Sequence, residues 1–310
     1  MAWAGVINLL TCSRAKARSL ITDFIPLPVL LVLCSSLLFA GCAQFQYIGL
    51  VQTDSRDGTL VNIMTMCVIF WLASPLFLES HYWWTEAALL FGAVGLVRPV
   101  LTINLAMAGI KRLGPTLSTG VTATTPVFGV IFAVLILGEI LTWPVAIGTG
   151  AVVSGILLSA FGRYRLARSW PVWAIALPLG ASFFRSIGHP VLKIGFAELP
   201  SAAFATLVSL SVSAVVALIS HRVQNRPLPR LDKNMLWFVL TGVINGLALL
   251  LLNSALKLGQ LLMVAPIAAS TPVFSLLLGI FVFKRETFTW QSSGVVLLMV
   301  AGVMLVAANK

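Results

Sequence analysis

The chain has 310 residues, of which 20 are Lys or Arg and 9 are Asp or Glu, so 9% are charged while 59% are hydrophobic; the mean hydropathy is +1.02. Soluble domains carry about 25% charged residues and tolerate only small exposed apolar patches, so a soluble enzyme, a nucleic-acid-binding domain and a disordered tail are excluded, and the apolar surplus must face a lipid bilayer. The net charge of +11 is scattered between apolar runs, which places basic residues at helix ends and does not make nucleic acid a partner.

Residues 1–26 form an N-terminal segment whose apolar stretch precedes Arg14, Lys16 and Arg18, the reverse of a signal peptide. A spanning helix needs about 20 mostly apolar residues. Ten such stretches follow, near 27–51, 58–78, 84–108, 116–137, 142–161, 170–192, 200–220, 235–256, 262–283 and 288–308. Turn residues and charges fill the breaks, as in Asp54 to Gly58, Lys111 to Pro115 and the Arg- and Pro-rich 222–234. Trp and Tyr gather at span ends (Tyr82, Trp83, Trp84, Trp143, Trp170, Trp237, Trp290), where amphipathic rings prefer the interface. Long apolar runs without alternating polarity argue against a membrane barrel. Cys12, Cys34, Cys42 and Cys67 form no CxxC pair and have no His at ligand spacing, so they read as packing residues, with no metal or cofactor implied.

The chain repeats itself. Thr125-Pro126-Val127-Phe128 returns as Thr271-Pro272-Val273-Phe274, and Glu139-x-x-Thr142-Trp143 returns as Glu286-x-x-Thr289-Trp290. Upstream, Gly41 to Gly49 matches Gly180 to Gly188 in the same order. This gives a first five-helix repeat over 27–161, a linker at 162–169 and a second repeat over 170–310. Five is odd, so the second copy enters the bilayer with opposite orientation, the pattern of alternating-access carriers. The fold class is therefore all-α and polytopic, with ten transmembrane helices as two inverted five-helix repeats.

The Pro-led fourth and ninth spans, the Glu-x-x-Thr-Trp motifs, the Gly-rich closing spans (Gly148 to Gly155, Gly294 to Gly302) and Ala255-Leu-Lys-Leu-Gly259 together resemble the drug/metabolite transporter superfamily, in its ten-helix EamA-type branch. The resemblance covers nearly the whole chain. It implies a small-molecule transporter with a central cavity between the first, third, sixth and eighth spans. It also implies cytoplasmic termini, whereas counting charges by loop favours external ones: 12 Lys and Arg fall on the side opposite the termini and 6 on their own side. The loop Glu79 to Thr85 lacks the basic residues usual in that family.

Enzyme signatures such as HExxH, GxSxG and the P-loop are absent, and no catalytic residue is assigned. Two arginines, Arg98 and Arg185, fall well inside spans. A guanidinium at mid-bilayer costs about 2.5–3.5 kcal/mol on insertion scales, so it ordinarily faces a cavity or a partner. Ser182, Arg185, Ser186, His189 and Lys193 share one helical face, Arg98 and Thr102 stack one turn apart, and Thr241, Asn245 and Asn253 share another face. Across the repeat Gln46 corresponds to Arg185, and Arg98 to Asn245. No carboxylate lies deep in a span, and Glu139 and Glu286 sit at span starts where helix dipoles welcome them. Pro190 is expected to break its helix locally, and the two Thr-Pro pairs read either as hinges or as first-turn prolines. Arg grips carboxylates and phosphates with paired hydrogen bonds. The substrate-binding set is thus Arg98, Arg185, Gln46, Tyr47, Thr102, His189, Asn245 and Asn253, with Phe45, Trp71 and Phe184 as further aromatic candidates.

The function expected is a secondary or facilitative carrier, in a cell (inner) membrane, for a small metabolite with an anionic group: an organic acid, an amino acid or a phosphorylated compound. The alternatives are a proton-coupled antiporter exporting amino acids, aromatic compounds or drugs, and a receptor or assembly subunit that moves nothing. Partners are the substrate, the bilayer, and protons or a counter-substrate where flux is coupled; a monomer suffices.

Overall fold

The computed structural model describes residues 26–305 except 123, 165–170, 230–231, 286–293, 295–296, 299 and 303. The described residues form twelve α-helices and no strand. They are α1 (Leu27–Gly49), α2 (Ser55–Ala73), α3 (Glu86–Val97), α4 (Val100–Leu113), α5 (Pro115–Thr122) and α6 (Thr125–Leu137). The remainder are α7 (Trp143–Tyr164), α8 (Ala176–Glu198), α9 (Ala202–Val223), α10 (Met235–Leu258), α11 (Leu261–Ala268) and α12 (Thr271–Phe281). The expected tenth span is described only at scattered positions, all helical, and Glu286 and Trp290 lie outside the described residues.

Local chemistry sets these boundaries. Asp54 caps α2 by accepting from Ser55 N at 2.8 Å, Thr85 caps α3 through Ala88 N, and Ser201 caps α9 through Phe204 N. Gly138 closes α6 at φ 64°, a left-handed conformation suited to glycine. Among the described residues, seven segments are long and apolar enough to cross a membrane: Leu27–Gly49, Ser55–Leu76, Glu86–Leu113, Leu117–Leu137, Ala202–Val223, Met235–Leu258 and Leu261–Phe281.

Three expected spans are discontinuous. The 84–108 stretch breaks at Arg98, which is extended (φ −118°, ψ 139°) between α3 and α4. The cause is Pro99, because proline disfavours the helical conformation in the residue before it. Arg98 and Thr102 therefore do not stack along one helix as the spacing suggested. The 116–137 and 262–283 stretches break between α5 and α6 and between α11 and α12, and Pro126 and Pro272 stand in the first turns of α6 and α12. The Thr-Pro pairs thus hold first-turn prolines, each at a break within a span. Pro190, by contrast, does not break its helix: α8 runs unbroken from Ala176 to Glu198.

The packing has an inside-out character. Leu89 and Leu135 are each 76% exposed, whereas Ser36, Gln44, Asn62, Thr206 and Ser213 are buried. Lipid solvates the leucines, and the interior pairs the polar groups.

The pattern of packed helices is preserved when the two halves are exchanged. α1 lies against α10 as α3 and α4 lie against α8; α2 against α10 as α9 against α3; α12 against α1 as α6 against α8. The broken spans interlock, α6 with α11 and α12 with α5. The correspondence holds residue by residue. Ser209 Oγ donates to Phe91 O at 2.9 Å, and in the other half Asn62 Nδ2 donates to Phe238 O at 3.5 Å. Gly95 lies against the Ser209 backbone as Gly242 lies against that of Asn62. One turn beyond these glycines stand Arg98 and Asn245.

Candidate functional site

Between the halves lies a cavity of about 940 Å³ of unfilled space, counting its open mouth. α1 contributes Phe39 and Gln46, the α3–α4 break Arg98, α4 Thr102 and Ile103, and α5 Ser118 and Thr122. α8 contributes Arg185 and Leu192, and α10 contributes Asn245, Leu249 and Asn253. Among the described residues, the only charged ones in this wall are the two arginines.

Arg98 is 5% exposed, and its Nη1 has no hydrogen-bond partner among the described residues. The side chain runs across Gly188 of α8, where a Cβ would stand 2.6 Å from Arg98 Cδ. Glycine at 188 is thus what admits the guanidinium to the interior. Arg185 is partly exposed, with Cζ 5.5 Å from the centroid of the Phe39 ring. Thr102 spends its hydroxyl on Pro99 O at 3.0 Å.

The opposite wall is neutral. Asn245 Nδ2 donates to Asn62 Oδ1 at 3.2 Å, and Asn62 Nδ2 donates to Thr241 Oγ1 at 2.9 Å. Asn253 Nδ2 donates to Thr206 Oγ1 at 2.9 Å, while its Oδ1 has no partner among the described residues. Equivalent positions in the two halves therefore carry charge on one side (Arg98, Arg185) and amides on the other (Asn245, Gln46).

Six residues singled out by sequence share this wall: Gln46, Arg98, Thr102, Arg185, Asn245 and Asn253. His189 does not line it but faces a smaller adjoining pocket. Tyr47 does not line it either. One residue on from Gln46 turns about 100° around the helix, and Tyr47 meets Arg285, whose Cζ is 5.2 Å from its ring. Phe45 stacks on Trp237, Trp71 donates to Ser211 Oγ at 3.0 Å, and Phe184 packs on Phe183; none lines the cavity. The aromatic wall is instead Phe39.

The polar face of α8 also divides. Ser182 and Ser186 donate to Thr122 O and Thr125 O, each at 3.0 Å, and so hold the α5–α6 break. Lys193 Nζ donates to Gly259 O and, at 3.4 Å, to Leu256 O, closing the C-terminal end of α10. Asn62, Ser118 and Ser209 were not found from sequence. A lone Asn in the apolar run of α2 was the available signal for the first.

Two carboxylates hold the end of the molecule where α3 and α11 begin. Glu198 accepts from Glu86 N at 3.1 Å and Ala87 N at 2.7 Å, at the start of α3. Glu139 accepts from Leu261 N at 3.0 Å and Leu262 N at 2.9 Å. The dipole Glu139 meets is thus that of α11 in the other half, not of the span it precedes in sequence. The buried cluster of Phe91, Phe196, Phe204, Leu256 and Leu261 fills this end. At the other end Arg226 pairs with Asp54 at 2.6 Å and Asp57 at 3.4 Å.

The fold and this central chamber define an all-α, multi-pass membrane protein built of two repeated halves around a polar cavity. The model of the EamA-like transporter family matches the chain twice, over residues 26–161 and 172–308. The chain therefore belongs to the EamA-like transporter family, whose members are membrane transporters of small molecules. A solved crystal structure is similar in fold, with a TM-score of 0.70 and 16% identity, covering 90% of this chain and 95% of that one. No curated protein matches in sequence.

Proposed function

We propose that the chain carries a small metabolite bearing an anionic group across a cell membrane, by alternating access of the cavity to its two sides. The observation that carries this reading is the pair Arg98 and Arg185, the only charges in the cavity wall among the described residues, with Arg98 Nη1 unpartnered among those residues at 5% exposure. A buried guanidinium is costly unless its charge and its donors are met. A carboxylate or phosphate meets both at once through paired hydrogen bonds. Phe39, Met66, Ile103, Leu192 and Leu249 supply apolar walls for the remainder of the substrate. An organic cation finds no acid among these wall residues to replace its water.

The test is uptake of labelled organic acids, amino acids and organic cations by vesicles containing the purified chain. Acid uptake that falls at least tenfold in Arg98→Ala and Arg185→Ala supports the reading. Cation uptake at wild-type rate in both variants sinks it, and absence of flux and of exchange with every class favours a receptor or assembly subunit.

A further inference from the structure

Resting on that reading, we infer that the cavity continues into a second subsite, built around Arg185 and His189, which takes a compact anionic headgroup. A pocket of about 440 Å³ of unfilled space lies where the two broken spans cross, and Phe39 and Arg185 belong to its wall as well as to that of the main cavity. His189 is 1% exposed, lines this pocket, and has no hydrogen-bond partner on either ring nitrogen among the described residues. A buried imidazole left unpaired is costly, so the pocket is built for something that meets it.

The surroundings select the sign of the ligand. α6 and α12 begin at Thr125 and Thr271 in the pocket wall, presenting the positive ends of their dipoles. The opposing carbonyls of the preceding half-helices are already engaged. Thr122 O accepts from Thr125 Oγ1 and Ser182 Oγ, and Ala268 O accepts from Thr271 Oγ1 and Ser36 Oγ. Donors to a ligand are left to the Arg185 guanidinium and the His189 N–H, and no carboxylate belongs to the wall among the described residues. A cation is repelled there. A carboxylate-sized anion is held, either as the second acidic group of a substrate whose first group meets Arg98, or as a free small anion bound beside the substrate.

The experiment measures binding to the purified full chain in micelles. Straight-chain diacids of three to six carbons are compared with the monoacids of equal length, in a chloride-free buffer of a bulky sulfonate and then with chloride added. The expected result is a best diacid bound at least about tenfold tighter than its monoacid, a difference of about 1.4 kcal/mol. That preference vanishes in His189→Leu while monoacid affinity holds, and part of it survives in His189→Gln, which keeps one donor. If the headgroup is instead a free anion, chloride raises monoacid affinity in the wild type and not in His189→Leu. Monoacid binding that Arg98→Ala abolishes, with neither a diacid preference nor a chloride response, overturns the subsite alone and leaves a pocket of water. Equal loss of monoacid and diacid affinity in His189→Leu assigns the imidazole to packing and also overturns it. No binding of any acid overturns both readings.

Discussion

Replacing Gly95 by Ala tests the contact that sets Arg98 in place. A Cβ on Gly95 stands 2.7 Å from Ser209 O and 2.8 Å from Val212 Cβ, and the nearest of these atoms is backbone, which cannot swing aside. Restoring ordinary contact near 3.4 Å requires α3 and α9 to separate locally by about 0.7 Å. The same movement loosens the bonds Ser209 Oγ to Phe91 O, at 2.9 Å, and Ser213 Oγ to Gly95 O, at 2.5 Å. Overpacking of this kind costs about 1–3 kcal/mol. Removing a helical glycine returns about 0.5–1 kcal/mol, so the net loss is about 0–2.5 kcal/mol, centred on about 1 kcal/mol. Gly92, one turn away on α3, is the control, since its Cβ would meet only Val212 and Val208 side chains at 3.9 and 4.0 Å. Gly92→Ala gains the propensity term without the clash. Gly242→Ala should behave like Gly95→Ala, because its Cβ meets Thr65 Cβ at 2.7 Å and Asn62 O at 2.9 Å across the equivalent contact. The assay is thermal unfolding of the purified variants in one detergent. Gly95→Ala melting at or above Gly92→Ala would refute the packing argument, and a large difference between Gly95→Ala and Gly242→Ala would refute the residue-by-residue equivalence of the halves.

Gly188→Ala places a Cβ 2.6 Å from Arg98 Cδ, the flexible part of a side chain, so the guanidinium yields and the helices do not. Uptake of the anionic substrate should show a KM raised by roughly tenfold, about 1.4 kcal/mol, with a melting temperature near wild type; the reverse pattern would place the cost in packing. At the opposite end, burial raises the Asp54 carboxyl, but the hydrogen bond and charge of Arg226, with the Ser55 N–H, outweigh it and hold the group below its ordinary range. The folded state therefore binds that proton less readily than the unfolded chain. Its stabilisation is present above the ordinary carboxylate range and is lost as pH falls through the lower folded value. Asp54→Asn should flatten the acid limb of a melting-temperature profile; an unchanged limb would assign that loss to other groups.

Composition, run length and internal repetition determined much of this molecule. Twenty apolar residues in a row can satisfy their backbone in lipid only as a helix, so the all-helical class and the paired halves follow from the order of residues along the chain, whereas the breaks within three expected spans do not. The two arginines were legible for a related reason, since a guanidinium within an apolar run stands out against its neighbours. Tertiary structure alone decided which way the polar faces look. Gln46 and Tyr47 are adjacent in sequence, yet one lines the cavity and the other lies under Arg285, because the rotation of α1 is fixed by α10 and α12 packed against it. Ser182 and Lys193 share a helical face with Arg185, yet they close a break and a helix end, because those carbonyls arrive from other parts of the chain. Glu139 meets a helix start more than a hundred residues away. Helical periodicity is a local property of the chain, whereas the partner each face meets depends on docking between distant segments, and no spacing in the sequence records it.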